Sequence, residues 1–175
     1  MRKYIFTGET MMFHGRLLRR IKRISDGEVG GWIESELNLS HNGTCFIYDD
    51  AKVFDNAVVL DSVRVSDSAI VYDNAKVYEN AIILDNSSIY GDSEVFGEAS
   101  IYNRSKIYGK SKVYVKATVK GNASVFQNSL VHGKASLNDN VKVFGKSDIY
   151  GNAELFDNAM VGENASIFNF VKMLV

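Results

Sequence analysis

The sequence predicts an all-β protein built as a parallel β-helix, and three observations carry that prediction. Every sixth residue from Ile47 to Met173 is Val, Ile, Leu or Met. Two positions before each of these, from Cys45 to Val171, the side chain is Ala, Ser, Val or Cys. The chain also contains no proline, so no backbone N–H is missing from a hydrogen-bonded ladder. A six-residue period matches no helix, whereas a solenoid of short strands repeats in this way.

Each six-residue unit predicts one side of a triangular coil. The β-branched residue points inward from a three-residue strand, and the next three residues turn a corner where the inward side chain must be small. We expect Gly and Asn to supply the positive φ of these corners. Asn occupies the corner at Asn56, Asn74, Asn80, Asn86, Asn122, Asn128, Asn140, Asn152, Asn158 and Asn164. Three sides close a coil, so the repeat predicts about seven coils stacked at roughly 4.8 Å.

This repeat resembles the hexapeptide-repeat left-handed β-helix, and its left-handedness is implied by the resemblance alone. We assign residues 45–175 to the β-helix and residues 1–44 to a small N-terminal cap. In the cap, Tyr4-Ile5-Phe6 predicts a strand and Gly30-Gly31-Trp32-Ile33 a turn into a strand, with Trp32 as the apolar plug. Between them, the apolar residues fit a helical stripe or a strand. They are Leu17, Leu18, Ile21 and Ile24.

A second resemblance rests on three short motifs in the cap. They are Lys3-Tyr4-x-Phe6-Thr7-Gly8-Glu9-Thr10, in which x is any residue, Gly30-Gly31-Trp32-Ile33-Glu34 and Asn38-Leu39-Ser40. Followed by the six-residue repeats, they are similar to phage and prophage hexapeptide-repeat proteins of the YdcK-like type. The resemblance implies a phage or prophage origin, and it suggests a host protein as partner, for instance one of a defence system.

Aromatic side chains follow the inward aliphatic residues at a spacing of 18 and predict two rows on separate faces. The first aromatic row is Phe54, Tyr72, Tyr90, Tyr108, Phe126 and Phe144. The second aromatic row is Tyr78, Phe96, Tyr114, His132, Tyr150 and Phe168. The third face has Tyr48, Ser66, Leu84, Tyr102, Lys120, Asn138 and Phe156. Stacking alone would stabilise the coils. We also expect the two rows to bind another protein or a second copy, as a dimer or trimer.

The main alternative is an enzyme. The best-known proteins that share the resembled fold are acyltransferases that use acetyl-CoA or acyl carrier protein, with a catalytic His near a subunit boundary and a loop between coils. Here no repeat is interrupted, and the chain has only His14, His41 and His132. We therefore expect no catalytic residue, cofactor or metal site. A trimeric acyltransferase with His132 as general base between subunits is the alternative function.

Acidic residues occupy many corners in the first coils. Asp49, Asp67 and Asp85 are predicted to stack along one edge. Carboxylates in such a stack would suit calcium. The favoured interpretation is that each Asp forms a turn by bonding its own backbone.

Charge is divided along the chain. Phe46 to Ala99 contains eleven acids and three bases, whereas Ser100 to Tyr150 contains nine bases and two acids. This polarity would steer a partner or favour antiparallel pairing of two prisms, although an uneven solvated surface explains it equally well. The net charge of −1 makes nucleic acid an unlikely partner and gives no attraction to a membrane.

The two ends of the chain and its single cysteine complete the expectations. Met1 to Glu9 has no long apolar stretch, so no signal peptide or membrane span is predicted. One cysteine, Cys45, suits a reducing, cytoplasmic location. The apolar end from Phe168 to Val175 predicts cover by another subunit.

Overall fold

The computed structural model describes residues 2–169, and it forms a parallel β-helix behind an N-terminal hairpin. The hairpin consists of β1 (Tyr4–Phe13) and β2 (Arg16–Arg23), which pair antiparallel. Strand β3 (Val29–Ile33) and a 3₁₀ turn (Glu36–Asn38) follow. No helix within residues 2–169 is long and apolar enough to cross a membrane. The prediction that another subunit covers the chain end concerns mainly residues 170–175, which lie outside the described residues.

The remaining strands form the three faces of the prism, here called sheets A, B and C. Sheet A contains β5 (Lys52–Val53), β8 (Ile70–Val71), β11 (Ser88–Ile89), β14 (Lys106–Ile107), β17 (Ser124–Val125), β20 (Lys142–Val143) and β23 (Met160–Val161). Sheet B contains β6 (Val58–Val59), β9 (Lys76–Val77), β12 (Glu94–Val95), β15 (Lys112–Val113), β18 (Leu130–Val131), β21 (Asp148–Tyr150) and β24 (Ser166–Phe168). Sheet C contains β4 (Phe46–Ile47), β7 (Arg64–Val65), β10 (Ile82–Ile83), β13 (Ser100–Ile101), β16 (Thr118–Val119), β19 (Ser136–Leu137) and β22 (Glu154–Leu155).

Neighbouring strands of each sheet pair in parallel at an 18-residue offset, as in Val95 with Val113. The inward aliphatic side chains are buried, and most have no exposed surface. Serines replace alanine at six of the small inward positions and are also fully buried. Their hydroxyls donate to the carbonyl three residues earlier, as from Ser111 to Tyr108 at 2.9 Å. Each buried hydroxyl is therefore satisfied, which lets Ser and Ala alternate freely.

The stacking begins before the regular repeat. Strand β3 extends sheet A, with Ile33 opposite Val53, and Leu39 bridges Val59 in parallel. Both of these pairs have an offset of 20 residues, because two extra residues lie between Leu39 and Ile47. Sheet A therefore has eight parallel strands, one more than the seven coils expected.

The hairpin closes the first end of the prism and corrects two expectations. Arg16–Arg23 is a strand, so the strand interpretation of its apolar residues is confirmed and the helical stripe is wrong. Trp32 is not the plug of the core, since it packs on the outer side of the coil with Leu18 and Phe54. Tyr4 and Ile21 join the central core instead. The Tyr4 hydroxyl donates to the Leu39 carbonyl at 2.9 Å.

Candidate functional site

The first aromatic row lies on the outer side of sheet A and forms one continuous stack. From Phe54 to Phe144, successive ring centroids are 4.8 to 5.4 Å apart and the ring planes are within 15° of each other. This spacing follows from the distance between coils, which places equivalent side chains directly above one another. The six residues predicted for this row are thus brought together.

The second aromatic row forms an equivalent stack on sheet B. Its centroids are 4.7 to 5.4 Å apart from Tyr78 to Phe168, and His132 takes the place of a ring between Tyr114 and Tyr150. The planes are within 10° of each other except at the last pair, Tyr150 and Phe168, where the angle is 30°.

Stacking leaves the edges of the rings at the surface and hides their faces. Phe54 is buried, Phe168 is 55% exposed, and the ten rings between these extremes are half-buried. A nucleobase or a sugar binds an aromatic residue through the ring face. Within the two rows, such faces are covered by the neighbouring rings. The rows therefore present flat apolar strips that suit a protein surface better than a stacked ligand.

The hairpin covers the start of the first aromatic row only. Phe13 packs edge-to-face on Phe54, with centroids 5.8 Å apart. Leu18, Trp32 and Phe54 form a buried cluster at this point, and Tyr72 packs against it. The cluster contains no residue of the second aromatic row. Within residues 2–169, sheet B consequently offers the longer strip that the hairpin leaves uncovered.

Burial raises the pKa of five tyrosines in the two rows above the ordinary value. Burial is the largest of the causes that raise the pKa of Tyr90 to about 12. For Tyr78 burial also comes first, and a hydrogen bond to Glu94 at 3.0 Å adds to it, so that its pKa is about 12. The pKa values of Tyr72, Tyr108 and Tyr114 are raised for the same main reason.

The three histidines lie in different surroundings and do not converge. His132 Nε2 is 3.0 Å from Asp148 Oδ1 on sheet B. His41 stacks on Tyr4 and His14 on Phe13, both at the hairpin end. Among residues 2–169, no group of three or more His, Cys, Asp or Glu side chains is placed to hold a metal ion. The His132–Asp148 pair has the geometry of a base and its orienting carboxylate.

The corner acids bond to the next coil rather than to their own turn. Asp49, Asp67 and Asp85 do follow one edge, and each carboxylate accepts from the backbone N–H 18 residues later, at 3.2, 3.2 and 2.8 Å. These acids have a positive φ, for example 61° at Asp67. The left-handed residue thus directly precedes the corner Asn instead of being that Asn. The corner asparagines form amide ladders of their own, as between Asn56 and Asn74.

A groove of about 790 Å³ lies at the edge between sheets A and B, beside the hairpin. Its upper end contains Arg16, Glu34 and Asp55. Arg16 pairs with Asp55 at 2.5 Å and with Glu34 at 3.7 Å. Glu34 also accepts from the Asp55 backbone N–H at 2.7 Å. These charges hold the hairpin to the coils, which accounts for them without a ligand.

Charge changes sign on sheet B between two adjacent coils. Lys112 Nζ is 3.2 Å from Glu94 Oε1, and Lys116 Nζ is 3.0 Å from Glu98 Oε2. Sequence reasoning found the overall polarity of the chain but missed that the reversal coincides with these ion pairs. An alignment of the charged residues at a spacing of 18 would have revealed this coincidence.

In comparisons with known proteins, no family model and no curated protein matches this chain.

Proposed function

We propose that this protein is a non-enzymatic interaction module that binds another protein, or a second copy of itself, through the aromatic faces of its β-helix. The observation that carries the proposal is the pair of flat strips made of ring edges on sheets A and B. Flat apolar strips flanked by charged corners resemble the composition of protein interfaces, which combine an aromatic centre with a polar rim.

A host protein met in the cytoplasm is the kind of outside partner that this proposal favours. The similarity to phage and prophage repeat proteins supports that partner, and inhibition of a host defence protein is the corresponding role. The same proposal includes that the repeats are hexapeptide repeats of the resembled type and that the protein is encoded by a phage or prophage. No cofactor or nucleic acid is required for such binding.

Two lysine variants test the role of the faces. Tyr108→Lys/Phe126→Lys places charges on sheet A, and Phe96→Lys/Tyr114→Lys does so on sheet B. We expect at least one of these variants to lose binding. The loss is measured by light scattering for self-association, and by co-purification with the tagged protein for a defined partner. Ser136→Lys on sheet C is the control and should change neither. If both face variants bind as the unmodified chain does, the aromatic strips serve stability alone.

The His132–Asp148 pair favours one second candidate, an acyltransferase with its site between subunits. In this candidate His132 acts as a general base and Asp148 orients it. It requires binding of an acyl-CoA and turnover that His132→Ala abolishes while His14→Ala leaves it intact. Calorimetric titration with acetyl-CoA that shows no binding would remove this candidate.

A further inference from the structure

We propose that a second copy of the chain docks on sheet B in antiparallel orientation, about a twofold axis that passes between β12 and β15. This inference rests on the proposed function and names the partner of one of its two faces. It is carried by the arrangement of charge around this axis and by the second aromatic row, which the hairpin leaves uncovered.

Three acid–base pairs straddle the same boundary between two coils. Glu94 and Lys112 lie on the outer side of sheet B, opposite each other in β12 and β15. Asp92 and Lys110 occupy equivalent corners on one side of the sheet, and Glu98 and Lys116 on the other. In each pair the acid belongs to the earlier coil and the base to the next coil. The boundary is therefore acidic on one side and basic on the other across the whole width of the face.

A twofold axis in the plane of the interface, perpendicular to the prism, exchanges these two coils. It places Glu94 opposite Lys112 of the second copy, and Lys112 opposite the second Glu94. The four charges then alternate in sign around a square, and the two corner pairs repeat this pattern. A parallel arrangement would instead bring Asp92 to Glu98 and Lys110 to Lys116 of the second copy. Because like charges then meet at both corners, charge selects the antiparallel arrangement.

The same axis keeps the second aromatic row in register with itself. Phe96 comes to face Tyr114 of the second copy, and Tyr78 comes to face His132. Leu60, which is 37% exposed, faces Tyr150. Apolar edges would thus be buried against apolar edges along six coils, and this burial supplies the main favourable term.

The size of the face predicts a reversible dimer. Six coils at roughly 4.8 Å span about 30 Å, and five residues of strand and corner give a width of about 16 Å. The two copies would then bury about 1,000 Å² together, near the lower limit for specific interfaces. We expect association that depends on protein concentration and that salt weakens, since the corner charges of Asp92, Glu98, Lys110 and Lys116 lie at the exposed rim.

Charge-reversal variants test the axis through mass measurements by light scattering and sedimentation. Glu94→Lys/Glu98→Lys makes the boundary basic, and Lys112→Glu/Lys116→Glu makes it acidic. Each variant alone should be monomeric, whereas an equal mixture should regain the dimer, because every reversed charge then meets its opposite. Lys106→Glu/Lys120→Glu, which changes the charge equally on sheets A and C, should dimerise as the unmodified chain does. Recovery in the mixture also shows that the variants are folded.

Disulfide formation tests the orientation. In a Cys45→Ser background, a mixture of Lys76→Cys and Leu130→Cys chains should form the mixed disulfide faster than either chain alone forms its own, because the axis brings these positions together. A monomeric unmodified chain at every concentration, or preferential disulfides within one variant, overturns this inference. If the chain is monomeric but the lysine variants of the faces still lose a defined partner, the proposed function survives and only the self-docking fails.

Discussion

One residue in most repeats has a positive φ, and its side chain determines how well the corner is held. Asp, Asn, Gly and similar residues fill most of these positions. Where the residue is Asp, Asn or Gln, its side chain can accept from the backbone of the next coil, as Asn103 does from Gly121 N at 3.1 Å. The corner thus gains a hydrogen bond exactly where the main-chain ladder leaves an N–H free.

Val115 is an exception, and its replacement should stabilise the protein. Its φ is 64°, although a β-branched side chain disfavours this region. Val115→Asn should raise the free energy of unfolding by about 1 kcal/mol, because Asn tolerates positive φ and can accept from Gly133 N. Urea unfolding measures the change. Val115→Ala, which adds no acceptor, should give a much smaller gain, and an equal gain from both variants would refute the hydrogen-bond explanation.

Asn38 is a buried polar residue whose amide closes the first coil. Its Nδ2 donates to the carbonyls of Asp55 at 3.0 Å and Ala57 at 2.9 Å, while its Oδ1 accepts from Ser35 N at 2.8 Å. Asn38→Ala should lower the free energy of unfolding by about 2 kcal/mol, since buried backbone groups lose their partners. Thermal unfolding tests this, with exposed Asn86→Ala as the control. A loss no larger than that of the control would contradict the role of the amide.

Among the structural elements, the aromatic rows add stacking to the ladder of strands. Tyr90 and Tyr102 occupy the same position of the repeat, but only Tyr90 stacks between two rings, at 4.9 and 4.8 Å. We expect Tyr90→Leu to destabilise the protein by about 1 to 2 kcal/mol more than Tyr102→Leu, because each aromatic pair contributes about 0.5 to 1.5 kcal/mol. Chemical unfolding of both variants gives the difference directly, and equal losses would show that stacking contributes little.

The elements also show what the sequence can and cannot predict. The strands from Ile47 onward could be predicted from the six-residue period, because the period assigns one inward-facing aliphatic residue to each strand. Left-handedness remains a prediction of the resemblance. The first coil escaped prediction since the two extra residues between Leu39 and Ile47 interrupt the period. The alternation of inward and outward side chains in β2 is broken by a register shift between Arg20 and Lys22. Leu18 and Ile21 are therefore both buried although they are three residues apart, which is the spacing expected of a helix.

The positions of the rings in the two aromatic rows could be predicted from the sequence, but the part of each ring that stays exposed could not. The spacing of 18 assigned every ring of the two rows to its correct face. It could not show that the hairpin covers Phe54, because that contact joins residues far apart in sequence. It also did not show that stacking hides the ring faces. Whether the strips bind a partner stays a prediction.

At the scale of the whole molecule, the half-buried tyrosines Tyr78 and Tyr90 make the stability of the fold depend on pH in the alkaline range. The pKa values of Tyr78 and Tyr90 are raised from 10.0 to about 12. A raised folded pKa means that the stabilisation is complete below pH 10 and is lost as the pH rises toward 12. Melting temperatures should therefore fall between these values. Tyr78→Phe/Tyr90→Phe should fall less steeply, and an unchanged slope would argue against these two groups.

The uniform offset between coils makes whole coils removable. Deleting residues 106–123 removes β14, β15 and β16 and joins Ser105 to Ser124, which leaves every later strand on its own sheet. We expect this shorter chain to fold, as measured by circular dichroism and a cooperative melt. Deleting residues 106–117 preserves the six-residue period but moves every later residue to a neighbouring face. Lys120 then follows Tyr90 on sheet A, so the first aromatic row ends there, whereas Phe126 follows Phe96 on sheet B and continues that row. We therefore expect this variant to fold as well, with its rings redistributed among the three faces.

The side-chain bonds along the corners join each coil to the next at a fixed offset of 18 residues: carboxylates accept from a backbone N–H of the next coil, and asparagine amides donate to a side-chain oxygen of the next coil. A coil therefore carries, on its far side, both the acceptors and the donors that its successor requires, and the structure can be extended by one unit without altering those already present. The length of the prism therefore changes in steps of roughly 4.8 Å, one for each coil. Duplication or loss of single coils can then adjust the length of the molecule during evolution to the size of the surface that it contacts.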